Sequence, residues 1–191
     1  MPAASSRSPH LTKATKAFVD AITAENNPPL YTLPPQAARR ILADAQAKPI
    51  KKLAMDMHDE DLPVGPTGKV PTRFIRPEGV GGKLPIVFYF HGGGWILGDK
   101  DTHDRLVREL AKGAKAAVVY PNYTPSPEAQ HPVPLEQAYA AMLYIIEHAD
   151  AYGLDPSRIA VAGDSVGGNM ATVMTLLAKE RKGPEIAFQL L

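Results

Sequence analysis

Residues 85–90, Pro-Ile-Val-Phe-Tyr-Phe, form an unbroken run of strand formers and pass without a spacer into His91-Gly92-Gly93-Gly94-Trp95. A strand apolar at every position is buried on both faces, the condition of a central parallel sheet covered by helices on each side. The rest of the chain has the matching rhythm. Residues 116–120 and 158–162 are further short buried strands, and 186–191 begin one more. Helices are predicted between them over 102–112 and 165–179, and from Leu135 through Ala138, Tyr139, Met142 and Leu143 to Ile146, where apolar residues recur every three or four positions. Strands alternating with helices of this length specify right-handed βαβ units and an α/β fold. Two more segments, 52–61 and 70–76, are also read as strands, separated by the turn-forming Pro63-Val-Gly-Pro66-Thr-Gly68.

Two helices precede any strand. Leu11, Ala14, Phe18, Ala21 and Ile22 have helical spacing over 11–25, and Asn26-Asn27-Pro28-Pro29 stops that helix. A second is predicted over 35–47, with Pro34-Pro35 suited to a first turn. Both read as an appendage to the main fold, a lid or a packing arm. Arg39-Arg40 and Lys51-Lys52 read as solvated faces, and the run containing Asp56, His58, Asp59, Glu60 and Asp61 as an exposed strand end.

Composition narrows the function. The 191 residues are 45% hydrophobic and 21% charged, the balance of a globular chain with a core, and 19 prolines punctuate it between regular segments. With 21 basic against 20 acidic side chains the formal charge is +1, so no overall field draws the chain to nucleic acid. There is no cysteine, hence no disulfide framework, thiolate metal site or cysteine nucleophile, and a reducing, cytoplasmic setting is expected. No apolar run has the length of a signal peptide core or a membrane span.

The chemistry concentrates at Gly163-Asp164-Ser165-Val166-Gly167-Gly168-Asn169, placed between the strand at 158–162 and a helix. G-x-S-x-G in that context is a nucleophile elbow: a sharp turn exposes the serine hydroxyl, and the flanking glycines leave room for a crossing backbone. The helix that starts there points N–H groups and its positive dipole end toward a developing oxyanion. The second motif, His91-Gly92-Gly93-Gly94, is the loop component of an oxyanion hole. Gly93, Gly94 and Val166 are therefore the expected N–H donors and Ser165 the expected nucleophile. His91 is read as a structural residue that fixes the loop, Asp164 as shaping the elbow, and Trp95 as a residue of an acyl pocket.

Through these motifs the chain resembles the hormone-sensitive-lipase-like α/β-hydrolases, the bacterial family IV esterases. The resemblance rests on His91 to Trp95, on Tyr123-Thr-Pro-Ser-Pro127-Glu128 followed by His131-Pro-Val-Pro134, and on Gly163 to Asn169, in that order. Val166 stands where alanine is commoner, and Thr124 where arginine is usual. The resemblance implies an α/β-hydrolase fold with residues 1–50 as an N-terminal helical cap segment and 51–191 as core, the chain stopping near the sixth strand. It adds Tyr123 to the expected pocket. It implies a small or medium acyl ester as substrate, and neither metal nor organic cofactor.

In this fold the triad acid and histidine follow the nucleophile. The six histidines, His10, His58, His91, His103, His131 and His148, all precede Ser165, and His131 reads as a packing or capping residue. Three expectations follow. The chain is the N-terminal part of a longer esterase and is inactive or very weak alone. Its open sheet edge invites self-association or pairing with a C-terminal half. The rival reading is a non-catalytic small-molecule binding protein on the same fold.

Overall fold

The computed structural model describes residues 10–47 and 49–191. They pack as two compact units that divide at Pro34/Pro35. In the first, helix α1 (Lys13–Ala24) is capped by Thr12, whose hydroxyl accepts the Thr15 N–H at 3.2 Å, and a short 3-10 turn, Leu30–Thr32, follows the prolines. The second unit holds helix α2 (Pro35–Gln46) and then β1 (Met55–Leu62), β2 (Val70–Pro77), β3 (Leu84–Phe90), α3 (Asp104–Ala114), β4 (Ala117–Pro121), α4 (Val133–Glu147), β5 (Leu154–Gly163), α5 (Val166–Glu180) and β6 (Phe188–Leu190). The compact boundary thus falls before α2, and not near residue 50 where the two segments were expected to part.

The six strands lie in the order β1-β2-β4-β3-β5-β6. From β4 to β6 all pairings are parallel, whereas β1 and β2 form an antiparallel hairpin added beside β4. Strand β3 lies inside the parallel region with its side chains divided between two cores. Ile86, Phe88 and Phe90 join Val119 and Val161 in one, packed against Met142 and Ile145 of α4 and Met170 and Met174 of α5. Tyr89 joins Ile75, Val118, Tyr120 and Ala162 in the other, against Val107 and Ala111 of α3. A strand with a core on each face has no position for a polar residue, which is why 85–90 read as an unbroken apolar run.

Strand β5 is longer than its apolar stretch. Leu84 pairs with Leu154 and Pro85 with Asp155, the register then shifts, and Ile86 pairs with Ile159. The intervening Pro156-Ser157 carries a turn signature, with Asp155 Oδ1 accepting from the Ser157 hydroxyl at 2.6 Å, and so masks the start of the strand. At the outer edge, the acidic run is β1 itself. Asp59 pairs with Arg73 at 2.7 Å and with Lys100, and Asp61 with Lys69 at 2.6 Å. Charge on an edge strand blunts its tendency to recruit another strand.

Arg39 proves to be no solvated face. Its Nε donates to the Ile96 carbonyl at 2.7 Å, Nη2 to the Ser126 carbonyl at 2.8 Å, and Nη1 and Nη2 grip both oxygens of Glu128 at 2.7 Å. One planar guanidinium thereby ties α2 to the two loops that follow β3 and β4, a use that lysine could not reproduce. The hydrogen bond from Arg39 holds the Glu128 carboxyl well below its usual range. No helix among the described residues is long and apolar enough to cross a membrane.

Ile86 is fully buried at the centre of the sheet. In urea denaturation Ile86→Ala is expected to cost about 2–5 kcal/mol through lost burial and a residual cavity. Lys69→Ala, which breaks an exposed ion pair, is expected to cost less than about 1 kcal/mol.

Candidate active site

The parallel register sets Phe90 beside Gly163, so the loops that follow β3 and β5 leave the sheet side by side at its carboxyl edge. Ligand sites of open parallel sheets form at this edge. After β5 the chain turns through Asp164 and Ser165 directly into α5. Ser165 has φ 55° and ψ −120°, a conformation that a residue with a side chain adopts only under constraint. The turn is closed by the Gly167 N–H on the Asp164 carbonyl at 2.8 Å and the Asn169 N–H on the Ser165 carbonyl at 3.2 Å. Ser165 is exposed, at the N-terminus of a fifteen-residue helix.

Close approach explains the glycines around the serine. A Cβ on Gly167 would collide with the Phe90 carbonyl, and one on Gly163 would lie 2.7 Å from that same oxygen and run into Gly167. The first turn of α5 therefore rests on the end of β3 at a distance that no side chain permits.

The glycine loop is shaped by positive φ at Gly93 (117°) and Gly94 (64°), continued by Trp95 at 66°. A tight turn forms, in which the Ile96 and Leu97 N–H groups both donate to the Gly93 carbonyl, at 3.2 and 2.8 Å. Among the described residues no acceptor takes the N–H of Gly93, Gly94 or Val166. Those three groups remain available to a ligand oxygen.

Beneath the loop, His91 is buried. It stacks on Tyr123 with ring centroids 4.2 Å apart and planes 4° from parallel, and its Nδ1 donates to the Gly92 carbonyl at 2.8 Å. The Tyr123 hydroxyl donates to the His91 carbonyl at 2.8 Å. Burial pushes the His91 imidazole down to about 4, the Gly92 hydrogen bond opposing only in part, so the ring is neutral at physiological pH. The ring lies buried beneath the loop, stacked on Tyr123 and holding the Gly92 carbonyl through Nδ1.

Asp164 connects the two loops. Its Oδ1 accepts from the Tyr89 hydroxyl at 2.6 Å and from the Gly92 N–H at 2.9 Å, with His103 Nε2 3.5 Å away. Burial opposes ionisation of this carboxyl. His103, Tyr89 and the Gly92 N–H outweigh that effect and hold it well below the usual carboxylate range. In return, burial and the bond to Asp164 raise the Tyr89 phenol above its ordinary value.

The expected site residues thus fall into three groups. Ser165, Val166, Gly163, Gly167 and Gly168 form the elbow; His91, Gly92, Gly93 and Gly94 form the facing loop; Asp164 joins them. Trp95, half-buried, lines a cavity of about 270 Å³ with Ser126, His131, Pro134 and Leu135. Tyr123 is buried beneath the loop with its hydroxyl engaged, and it does not line that cavity. A larger cavity, about 630 Å³, opens beside Gly93 and Asp164, with His103, Thr102, Leu106 and Leu42 among its walls. Sequence reasoning missed Tyr89 and His103. Tyr89 was hidden in an apolar strand, and only its phenol, pointing out of the sheet at the same end as the glycine loop, could have marked it.

A mostly parallel sheet with helices on both faces and a serine on a strained strand-to-helix turn is the architecture of the α/β-hydrolases. The family model of the alpha/beta hydrolase fold matches residues 87–191, and the chain belongs to this family, in its hormone-sensitive-lipase-like branch. Carboxylesterase NlhH of Mycobacterium tuberculosis is 45% identical over 148 residues, which are 76% of this chain and 46% of that protein. Esterase LipI of the same organism is 42% identical over 82% of this chain and 49% of its own length. A thermostable esterase from Pseudomonas putida superposes with a TM-score of 0.92 at 43% identity, covering 96% of this chain and 58% of that one. The chain spans about half the length of the curated relatives it matches.

Because the folded His91 value lies below the ordinary 6.5, the unfolded chain takes up the proton first. The stability that neutral His91 supplies is therefore complete above pH 6.5 and is lost progressively as pH falls to about 4, by an amount on the order of 3 kcal/mol. Histidine NMR should show one imidazole that stays neutral down to about pH 4 and disappears in His91→Gln. A His91 ring titrating near the ordinary 6.5 would contradict its burial beneath the loop.

Proposed function

We propose that the protein is a serine carboxylesterase acting on small to medium acyl esters, with Ser165 as nucleophile. The observation that carries this reading is the exposed Ser165 hydroxyl at a strained elbow, beside a loop whose Gly93 and Gly94 N–H groups are unengaged. The esterase relatives support it as a class.

In the proposed reaction Ser165 Oγ attacks the ester carbonyl carbon while a general base takes its proton. The carbonyl oxygen becomes an oxyanion held by the N–H groups of Gly93, Gly94 and Val166. Donors already aligned for that charge cost no reorganisation during attack, and losing one such donor typically slows turnover by about 10²–10³. The alcohol departs with the base's proton, and water then releases the acid from the acyl-enzyme. His91 is not assigned as base, because its ring is buried beneath the loop and burial keeps its basicity low. In the family order of nucleophile, acid and histidine, the base and its orienting acid come after the nucleophile. Of the expected cap segment, helix α2 is assigned to the cap, since its Leu42 and Gln46 line the cavity beside Gly93 and Asp164. Neither metal nor organic cofactor enters the scheme.

A fluorophosphonate probe and a short-chain p-nitrophenyl ester test this on the whole protein. The expected result is one phosphonyl adduct by intact mass, mapped to Ser165, with hydrolysis that falls by at least about 10³ in Ser165→Ala. Turnover unchanged in Ser165→Ala would overturn the assignment. Saturable binding of small molecules with neither label nor turnover would replace it with the binding-protein reading.

A further inference from the structure

We infer that Asp164 is a positioning residue of the ester-cleaving site: its carboxylate locks the glycine loop to the elbow and so sets where the Gly93 and Gly94 donors stand relative to Ser165. The inference rests on the esterase reading and extends it to a residue that neither attacks, donates to the oxyanion nor transfers a proton.

Three observations converge. The first is connectivity: Asp164, one residue before the nucleophile, accepts the N–H of Gly92, one residue before the first loop donor, at 2.9 Å. The span from one half of the oxyanion hole to the other therefore crosses a single hydrogen bond. The same oxygen takes the Tyr89 hydroxyl at 2.6 Å, which anchors the carboxylate to the end of β3.

The second concerns Gly92. Gly93 and Gly94 need glycine for their positive φ, but Gly92 has no such conformation. What excludes a side chain is Asp164, since a Cβ on Gly92 would overlap its carboxyl group and lie 2.8 Å from its carbonyl oxygen. The first glycine of the loop is thus a consequence of how closely Asp164 approaches it.

The third is electrostatic. A carboxylate next to the nucleophile repels the oxyanion that forms during attack. Such a group is tolerable when its charge is absorbed by donors, and here Tyr89 and Gly92 donate to Oδ1 with His103 close by. A charge-assisted bond is roughly twice as strong as a neutral one, which suits a strut better than an amide would.

The test compares Asp164→Ala and Asp164→Asn in the whole protein by steady-state kinetics on a short acyl ester, together with NMR of the Gly92 amide. Asp164→Ala is expected to lower kcat by about 100-fold, the scale of losing an oxyanion donor, with KM within about threefold of the parent. Asp164→Asn keeps an oxygen for the Gly92 N–H and should recover to within about tenfold. The Gly92 amide should be protected from exchange in the parent and the Asn variant and unprotected in Asp164→Ala. A folded Asp164→Ala with kcat within threefold of the parent, a loss confined to KM, or an Asn variant as slow as the Ala variant would overturn the inference. Should Asp164→Ala not fold, the Asn variant still decides, because a hundredfold loss there contradicts the strut. Failure of the esterase reading is seen separately, as a parent that neither labels nor turns over. Even then an unprotected Gly92 amide in the parent would refute the proposed lock.

Discussion

The contact on which the rest of this structure depends is backbone against backbone: the first turn of α5 lies on the Phe90 carbonyl at the end of β3. Parallel pairing of Phe90 with Gly163 brings the two chain segments together, and Gly163 and Gly167 let them touch where a methyl group would not fit. Everything proposed for the site inherits that proximity. The strained Ser165, the N-terminus of α5 and the glycine loop share one small volume because nothing but main chain separates their supports. Burial of β3 between two cores then makes the platform rigid, since Ile86, Phe88 and Phe90 are locked on one face and Tyr89 on the other.

Around this contact the polar groups form two ties. Arg39 spends its whole guanidinium on Ile96, Ser126 and Glu128, which holds the loops after β3 and β4 to helix α2. Asp164 does the equivalent closer in, between elbow and loop. His91 and Tyr123 fill the space below as a stacked, hydrogen-bonded pair. A glycine-rich segment has little conformational preference of its own. Here its shape is imposed from three sides, which is what donors aimed at a transient charge require.

Much of this was legible in the sequence, for physical reasons that can be named. Helices α4 and α5 and strands β2, β3 and β4 carry their burial pattern openly, and motifs such as Gly163–Gly168 report a backbone geometry that few other residues tolerate. Strand order was not legible: nothing in the alternation of elements says that β1 and β2 would add antiparallel beside β4. The start of β5 was masked because Asp155-Pro156-Ser157 has the composition of a turn although Leu154 and Asp155 pair with β3. Arg39 looked like any surface arginine, since its partners lie 57 to 89 positions away. Tyr89 and His103 were overlooked for a related reason: their role comes from a carboxylate 75 positions beyond Tyr89 and from a helix packed on the far face of the sheet.

Ester cleavage at Ser165 depends on where the oxyanion sits. The most direct measurement is a crystal structure of the whole protein carrying a phosphonate adduct on Ser165, whose phosphoryl oxygen stands in for the oxyanion of ester cleavage. That oxygen is expected within about 3 Å of the N–H groups of Gly93, Gly94 and Val166, the distance at which such donors act, with the Gly92 N–H still on Asp164. A phosphoryl oxygen turned away from these groups, or an adduct on a different side chain, would contradict it.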